Sequence, residues 1–338
     1  LAPMAHPACL ALHLEGVSSD VTQRVTGTAI SALGLDWLLI PHLFDDYTGW
    51  LLDAVAPDHR MRRALIHYDL VPLVFPDVYL QSQRYAAFYR ACLANLSQFD
   101  CIASISEFSK RDLDQHYPEL ASRSMAIGTG VNTSLFHPKP SGSGEPAVSS
   151  EAFLLCAPSG FDHRKNVKAL LDVYHRLPQK MRTQYPLVLV GRTGSETRQT
   201  LEARCRELAI ENQVEFRGFV EDAELVQLYQ TATCFVFPSI YEGFGLPALE
   251  AVLCGCPTMA VDRSSLPEVL GSGNGLVDPE DLDRWADALR HLLEDPDARH
   301  RPAAEPPGQE PRQPPALHPA RPRADPRGGQ GEAARSQR

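Results

Sequence analysis

The sequence predicts an α/β protein built on doubly wound parallel sheets, and three observations point there. From residue 152 to about 295, short apolar runs alternate with segments whose apolar residues recur at helical spacing. The region before residue 139 carries a sparser set of the same signals. Between the two lies Pro140-Ser-Gly-Ser-Gly-Glu-Pro146, the composition of a flexible linker. The expected organisation is a doubly wound domain over 1–139, a linker over 140–150, a second doubly wound domain over 151–298 and a tail over 299–338. The tail is too rich in proline and arginine to bury a core and is expected to be disordered.

In the first region, residues 37–40, 63–66 and 101–105 read as strands and 84–96 as a helix. No Gly-x-Gly loop follows an early strand, and position 1 is not Met, so this domain is expected to be incomplete. In the second region a strand over 153–157 precedes a helix from about Asn166, with Val167, Leu170, Leu171, Tyr174 and Leu177 on one face. A strand over 187–190 closed by Gly191 leads to a helix carrying Leu201, Cys205 and Leu208. A strand over 214–216 is followed by a helix marked by Leu225, Leu228 and Tyr229. A strand over 234–237 is followed by a helix from about Leu246 to Gly255, and 258–261 is a further strand. Asp278-Pro279 supplies an expected N-cap and first-turn proline for a helix presenting Leu282, Trp285, Ala286, Leu289 and Leu292. Sheets of this kind bind ligands beyond the carboxyl ends of their strands.

Composition narrows the functions. Among 338 residues the formal net charge is −10, which argues against nucleic acid as a partner, because phosphate backbones need a basic footprint. No apolar run reaches the roughly 18 to 20 residues that span a bilayer, and the opening Leu1-Ala-Pro-Met-Ala-His6 lacks the regions of a secretory signal. Of eight cysteines only Cys254-Gly-Cys256 forms a close pair, without a second pair or histidines, so no zinc site is expected. These features predict a reduced, cytoplasmic protein. Arg60-Met-Arg-Arg63 is a solvated face or, alternatively, a peripheral contact with anionic lipid at the inner face of a membrane.

The most informative stretch is Phe237-Pro-Ser-Ile-Tyr-Glu-Gly-Phe-Gly-Leu-Pro-Ala-Leu-Glu250. A buried strand ends, and a glycine-bearing loop enters a helix whose free N–H groups and dipole form an anion site. Gly243 and Gly245 are expected to let the backbone approach a ligand. Glu242 in the loop and Glu250 one turn into the helix are expected to face one crevice, where carboxylates can accept pairs of sugar hydroxyls. Ser159-Gly-Phe-Asp-His-Arg-Lys-Asn166 follows the first strand of the same domain. Its Arg164 and Lys165 are expected to neutralise a diphosphate from the opposite wall.

This string resembles the family-4 retaining glycosyltransferases of GT-B fold, in which two Rossmann-like domains face a cleft. Their E-x7-E element is matched by Glu242 and Glu250. The resemblance implies that Glu250 holds the ribose of a UDP- or GDP-sugar donor. It implies too that Glu242 and the backbone of Gly243, Phe244, Gly245 and Leu246 face the donor sugar and diphosphate. Arg164 and Lys165 match the family's phosphate segment, although Phe161 stands where many members carry a basic residue. The segment Phe216-Arg-Gly-Phe-Val220 corresponds to backbone that contacts the base, which places Phe219 and Val220 there. His67, in Ile66-His-Tyr-Asp-Leu-Val-Pro72, corresponds to a histidine that contacts the donor sugar and is paired with Glu242 as a catalytic candidate. Ser264-Ser-Leu-Pro-Glu268 also follows the family pattern, with a polar turn capping a short helix as the equal alternative.

The resemblance implies transfer of a hexose, mannose or glucose, with retention onto a glycan or lipid-linked acceptor. No metal and no cofactor beyond the nucleotide-sugar substrate is expected. The acceptor is deprotonated by the departing phosphate, so the two glutamates need not be a glycosidase pair. The alternative is a nucleotide-sugar-binding protein without turnover, because the second domain carries the complete pattern and the first only part of it. A non-hydrolysing epimerase of the same fold is a third, weaker reading.

Overall fold

The computed structural model describes residues 34–44, 61–139, 152–271 and 275–295. The linker over 140–150, the tail over 299–338 and Arg60 lie outside the described residues. Two fully parallel sheets organise the rest. The first contains β1 (Trp37–Ile40), β2 (Arg62–His67), β3 (Cys101–Ser104) and β4 (Ser124–Ala126), side by side in chain order. Two short helical turns, α1 (Val71–Val74) and α2 (Pro76–Tyr79), and the helix α3 (Gln83–Ala94) connect β2 to β3; α4 (Glu107–His116) connects β3 to β4. Its core gathers Ile40, Leu65, Tyr89, Phe99, Ile102 and Leu113.

The second sheet holds β5 (Leu154–Gly160), β6 (Leu187–Arg192), β7 (Val214–Gly218), β8 (Cys234–Phe237), β9 (Thr258–Val261) and β10 (Leu276–Val277). Between them run α5 (Val167–Arg176), α6 (Gln179–Gln184), α7 (Ser195–Glu207), α8 (Asp222–Thr231), α9 (Leu246–Leu253) and α10 (Leu266–Leu270), and α11 (Leu282–Glu294) closes the unit. The chain starts at β5, winds outward through β6 and β7, returns to lay β8 beside β5, then winds outward through β9 and β10. The inner strands β5, β6, β8 and β9 are short and mostly buried, as a sheet covered on both faces requires, while the edge strand β7 alternates half-buried and exposed residues. Trp285 and Leu289 of α11 and Leu170, Leu171 and Tyr174 of α5 are fully buried in one core. Phe136, from the last described residues before the linker, joins that second core.

Three sequence expectations are corrected. The last helix begins at Leu282 and is capped by Asp281, whose carboxylate accepts from Arg284 N at 3.0 Å; Asp278 instead closes the preceding turn onto Glu280 N at 3.0 Å. The Asp-Pro signal was read one turn early because a second aspartate follows it. The helix after β8 stops at Leu253 instead of Gly255. In the basic cluster, Arg63 is turned inward, with its guanidinium on Gln98 Oε1 at 2.6 Å, because alternation along β2 buries every second side chain. Among the described residues no helix is long and apolar enough to cross a membrane.

The two sheet units meet at a narrow seam. A Cβ added to Gly243 would lie 2.6 Å from the carbonyl oxygen of Tyr68 and 3.3 Å from Ile105 Cδ1, so glycine is needed there for backbone to approach backbone. Nearby, Tyr241 donates its hydroxyl to Asp112 and packs edge-on to Phe75 and Phe108. Tyr79 donates to Asp162 at 2.8 Å.

Two substitutions separate core from seam. Trp285→Ala should lower unfolding free energy by about 3–5 kcal/mol in urea titrations. Gly243→Ala should cost about 1–3 kcal/mol, since the obstacle is a carbonyl that cannot rotate away. It should also speed amide exchange at the start of α4, which Trp285→Ala should not do selectively.

Candidate active site

The winding of the second sheet reverses between β5 and β8, so the loops leaving their carboxyl ends diverge and open a crevice. Unusual backbone bends the connections here. Ser159 (φ 68°) near the end of β5, Asn166 (φ 53°) in the loop after β5 and Ser264 (φ 55°) after β9 are three of the four non-glycine residues with positive φ among those described. Left-handed Asn166 ends the tight turn His163–Lys165, and the Asp162 carboxylate accepts from Arg164 N at 3.2 Å. The turn directs both cations across to the loop after β8.

There they meet Glu242. Lys165 Nζ lies 2.5 Å from Glu242 Oε1, and Arg164 Nη1 lies 3.0 Å from Oε2 and 3.1 Å from the Tyr241 carbonyl. Ser239 Oγ donates to Oε1 at 2.5 Å, and Lys165 Nζ sits 5.5 Å from the centre of the Phe237 ring. Lys165 is 5% exposed and Glu242 7%, so this is an interior ion cluster. The expectation that Glu242 faces Arg164 and Lys165 from the opposite wall is therefore corrected. β5 and β8 are hydrogen-bonded neighbours, and loops leaving adjacent strands place their side chains on one wall.

The backbone after Glu242 is held by serines. Ser265 Oγ lies 3.0 Å from the Glu242 carbonyl oxygen and 2.7 Å from that of Phe244. Ser106 Oγ donates to the Gly243 carbonyl at 2.6 Å, and Ser109 Oγ lies 2.9 Å from the same oxygen. Glu242 N donates to Ser264 Oγ at 3.0 Å. In a trans peptide C=O and N–H point opposite ways. Fixing the carbonyls of residues 242, 243 and 244 therefore turns the N–H groups of Gly243, Phe244 and Gly245 to the other side. Those three, with Leu246 N–H, find no hydrogen-bond partner among the described residues. Gly245 is the left-handed N-cap of α9 (φ 96°) and gives the helix no side-chain cap. A cluster of open N–H groups at the positive end of a helix attracts anions.

The glycines answer to the protein itself. A Cβ on Gly245 would meet Leu266 Cδ2 at 2.7 Å, and Gly243 faces Tyr68, so neither position is emptied only for a ligand, as the sequence reading held. Leu246, the first residue of α9, is partly exposed, and Phe244 packs against the second core.

The other candidates lie around this centre. Glu250 shares no hydrogen-bond partner with Glu242; Tyr229 donates to it at 3.4 Å, and burial pushes its carboxyl up to about 7. Phe219 is 54% exposed beyond the end of β7, with the Arg192 guanidinium 4.4 Å from its ring centre, while Val220 packs on the core. His67 is the last residue of β2, in the first sheet unit. Its Nδ1 is 3.2 Å from Ser104 Oγ, its buried Nε2 has no hydrogen-bond partner, and burial lowers its pKa to about 4. The ring is thus neutral at ordinary pH and serves as a hydrogen-bonding group. The Asp69 carboxylate accepts from Val71 N at 3.1 Å, and burial raises its pKa. Among the described residues no three His, Cys, Asp or Glu side chains converge as a metal site, and Cys254 and Cys256 are buried free thiols.

Sequence reasoning missed Ser106, Ser109, Ser239, Ser264 and Ser265 as the residues that fix the loop, and Tyr241 as a link to the first unit. It also left Glu268 as half of an undecided pattern. The Glu268 carboxylate accepts from Glu107 N at 2.9 Å and Phe108 N at 3.1 Å, capping α4 from the other sheet unit. The one available signal was Ser106, an N-cap serine directly before a helix.

Comparison with known proteins agrees with this fold. The chain is 26% identical over 290 residues to the serotype-specific mannosyltransferase WbdA of Escherichia coli, covering 84% of this chain and 36% of that protein. It is 29% identical over 245 residues to the O-antigen chain mannosyltransferase B of Escherichia coli, covering 70% and 63%. The chain thus spans about a third of the length of WbdA and under two thirds of the second relative. The sucrose-phosphate synthase from Thermosynechococcus elongatus superposes with a TM-score of 0.66 at 23% identity, over 84% of this chain and 72% of that one. The fold is of the GT-B type. The family of glycosyl transferases group 1 matches residues 144–305. That span, which contains both crevice loops and α9, belongs to the glycosyl transferases group 1 family.

Proposed function

We propose that the protein transfers a hexose from a nucleoside-diphosphate sugar to a hydroxyl of a glycan or lipid-linked glycan, with retention at the anomeric carbon. The observation that carries this reading is the pairing of an interior Arg164–Lys165 cation pair with the row of open N–H groups over residues 243–246 at the reversal point of a parallel sheet. A diphosphate presents negative oxygens to both. Mannose is the favoured sugar, because the two relatives from Escherichia coli are named as mannosyltransferases.

The chemistry divides among these residues. The bond from the anomeric carbon to the diphosphate oxygen breaks, the bond to the acceptor oxygen forms on the same face, and the acceptor proton passes to the departing phosphate. Arg164, Lys165 and the N–H row stabilise the charge that develops on the leaving group, an effect that is large where water is excluded. A carboxylate has about four acceptor sites. Lys165, Ser239 and Arg164 fill three on Glu242, which leaves Oε2 room for a sugar hydroxyl. Neutral His67 offers a second polar contact to the sugar. Glu250, with one long bond from Tyr229, has the open capacity to accept both ribose hydroxyls, and the Arg192–Phe219 stack offers a flat surface near the base. Because Arg164 and Lys165 supply the positive charge, the reaction needs no metal. The buried free thiols suit a reducing cytoplasm, and a lipid-linked acceptor would bring the enzyme to the inner membrane face as a peripheral protein.

Calorimetry with UDP- and GDP-sugars, followed by mass analysis of acceptor products, tests the proposal. Donor binding with retention-type product is expected, chelator should leave the rate unchanged, and Glu242→Gln should cut transfer more than binding. Binding without transfer or donor hydrolysis would instead establish the turnover-free binder, and no binding of either donor would sink both readings.

The raised pKa of Glu250 gives a signed pH dependence. Below about 7 the carboxyl is protonated and accepts weakly; above it, the carboxylate accepts charge-assisted bonds. Donor affinity should therefore rise by about tenfold as pH increases through that value and then level off. Glu250→Gln should bind weakly at every pH and show a flat profile. The neutral His67, titrating near 4, contributes nothing to this window.

A further inference from the structure

The serines at the seam carry an inference beyond the site itself. Gly243, whose carbonyl oxygen they hold, is in the second sheet unit, yet Ser106 and Ser109 belong to the start of α4 in the first. Ser106 Oγ accepts from Ser109 N at 2.8 Å as the helix N-cap, which aims its own proton outward onto the Gly243 oxygen. Ser109 Oγ stands 2.7 Å from the Tyr68 carbonyl and 2.9 Å from that of Gly243, and its single proton is shared between them. Both serines are fully buried, so no water replaces these bonds cheaply. The remaining N–H groups of the first turn, at Glu107 and Phe108, are taken by the Glu268 carboxylate of the second unit. The start of α4 is thus clasped at two points by elements flanking the crevice.

We propose that Ser106 and Ser109 are positioning residues for the donor loop: by fixing the Gly243 carbonyl they set the direction of the Phe244 N–H, so anion binding in the second unit depends on hydroxyls supplied by the first. The inference rests on the nucleotide-sugar reading given above. The peptide joining Gly243 and Phe244 has no side-chain bulk at its first residue and could rotate between two orientations. Ser265 constrains the peptides on either side, through the oxygens of Glu242 and Phe244, but does not reach the one in the middle. Among the described residues only Ser106 and Ser109 do. Loss of their bonds would free that peptide to flip, replacing an N–H that meets a phosphate with a C=O that repels it.

The consequence is selective for ligands that reach the loop. A nucleoside diphosphate places its second phosphate there, whereas a monophosphate with the same base and ribose does not depend on it. The test is calorimetry on the full chain with UDP, GDP, UMP and GMP, for the parent, Ser109→Ala, Ser106→Ala and Ser106→Thr. Ser109→Ala and Ser106→Ala should each weaken the diphosphate bound by the parent by about tenfold, the loss of roughly one hydrogen bond to a charged site. The matching monophosphate should bind as it does to the parent. Ser106→Thr keeps both the cap and the hydroxyl and should restore diphosphate binding; circular dichroism melting identifies any variant that has merely unfolded. If the parent binds and all three variants bind diphosphate equally well, the positioning role is wrong while the functional reading stands. Equal weakening of mono- and diphosphate would mean a general loss of structure and would likewise overturn it. A parent that binds none of the four nucleotides removes the functional reading and this inference together.

Discussion

The structure turns on one buried carboxylate. Glu242 receives Lys165, Arg164 and Ser239, and in doing so ties the loop after β5 to the loop after β8 where the sheet reverses its winding. Burying three charges has a large desolvation cost, and an assembled interior ion cluster contributes little net stability compared with apolar packing. What it contributes is geometry. Removing Glu242 would leave the two cations without their shared counter-charge, a loss of about 3–5 kcal/mol, so the carboxylate ties the two loops into one stable relationship. A crevice proposed to hold a charged leaving group at fixed positions benefits from such a constraint more than from additional hydrophobic contact.

From that fixed point the polarity of the next four residues follows. Serines 106, 109 and 265 take the carbonyl oxygens of residues 242, 243 and 244, and planarity of the peptide unit delivers the N–H groups to the opposite side. The start of α9 adds its dipole in the same direction. Glu242 keeps the side-chain cations near this row while its own negative charge limits the net positive potential. The site is therefore preorganised without being a bare cationic hole. This fits a protein of formal charge −10, whose overall field would not draw in an anionic donor. Attraction is left to local dipoles and two placed cations.

Much of this was legible in the sequence, and the limits have physical causes. The second sheet was readable because its inner strands are buried on both faces and its helices are amphipathic, so apolar runs and helical periods alternate cleanly; β5, β6, β8 and β9 lie where apolar runs placed them. β10 escaped because two residues carry no period, and β4 because its three residues are not fully buried. The Glu242–Glu250 string stood out because glycine, proline and acidic residues cluster at a strand-to-helix junction. Its internal geometry did not. Whether a cation faces a carboxylate across a cleft or touches it depends on which strands are neighbours, and strand order is a non-local property. For the same reason, Gly243 looked like a ligand contact when the atom it avoids is the carbonyl of Tyr68, 175 residues away in the chain. Serine hydroxyls are harder still. The roles of Ser239, Ser264 and Ser265 follow from no spacing rule, since their partners (the Glu242 carboxylate, the Glu242 N–H and the carbonyls of residues 242 and 244) are brought within reach only by the folded loop.

The seam then bears on what each sheet unit can do alone. α4 begins in the first unit, but its first-turn N–H groups are satisfied by Glu268 of the second, and its cap serine donates to Gly243. A helix start left without these partners would expose N–H groups at a seam where water has poor access. The loop after β8 without α4 would lose the side-chain bonds to its central peptide, the only ones among the described residues. Each unit thus completes a polar end of the other, and both ends adjoin the loop after β8. Tyr241 and Asp112, and Tyr79 and Asp162, add the same kind of cross-bond on the flank where Arg164 sits. The second sheet unit is in this sense unfinished by itself: the proposed anion-binding N–H groups are encoded in the second half, and the bonds that hold their central peptide come from the first.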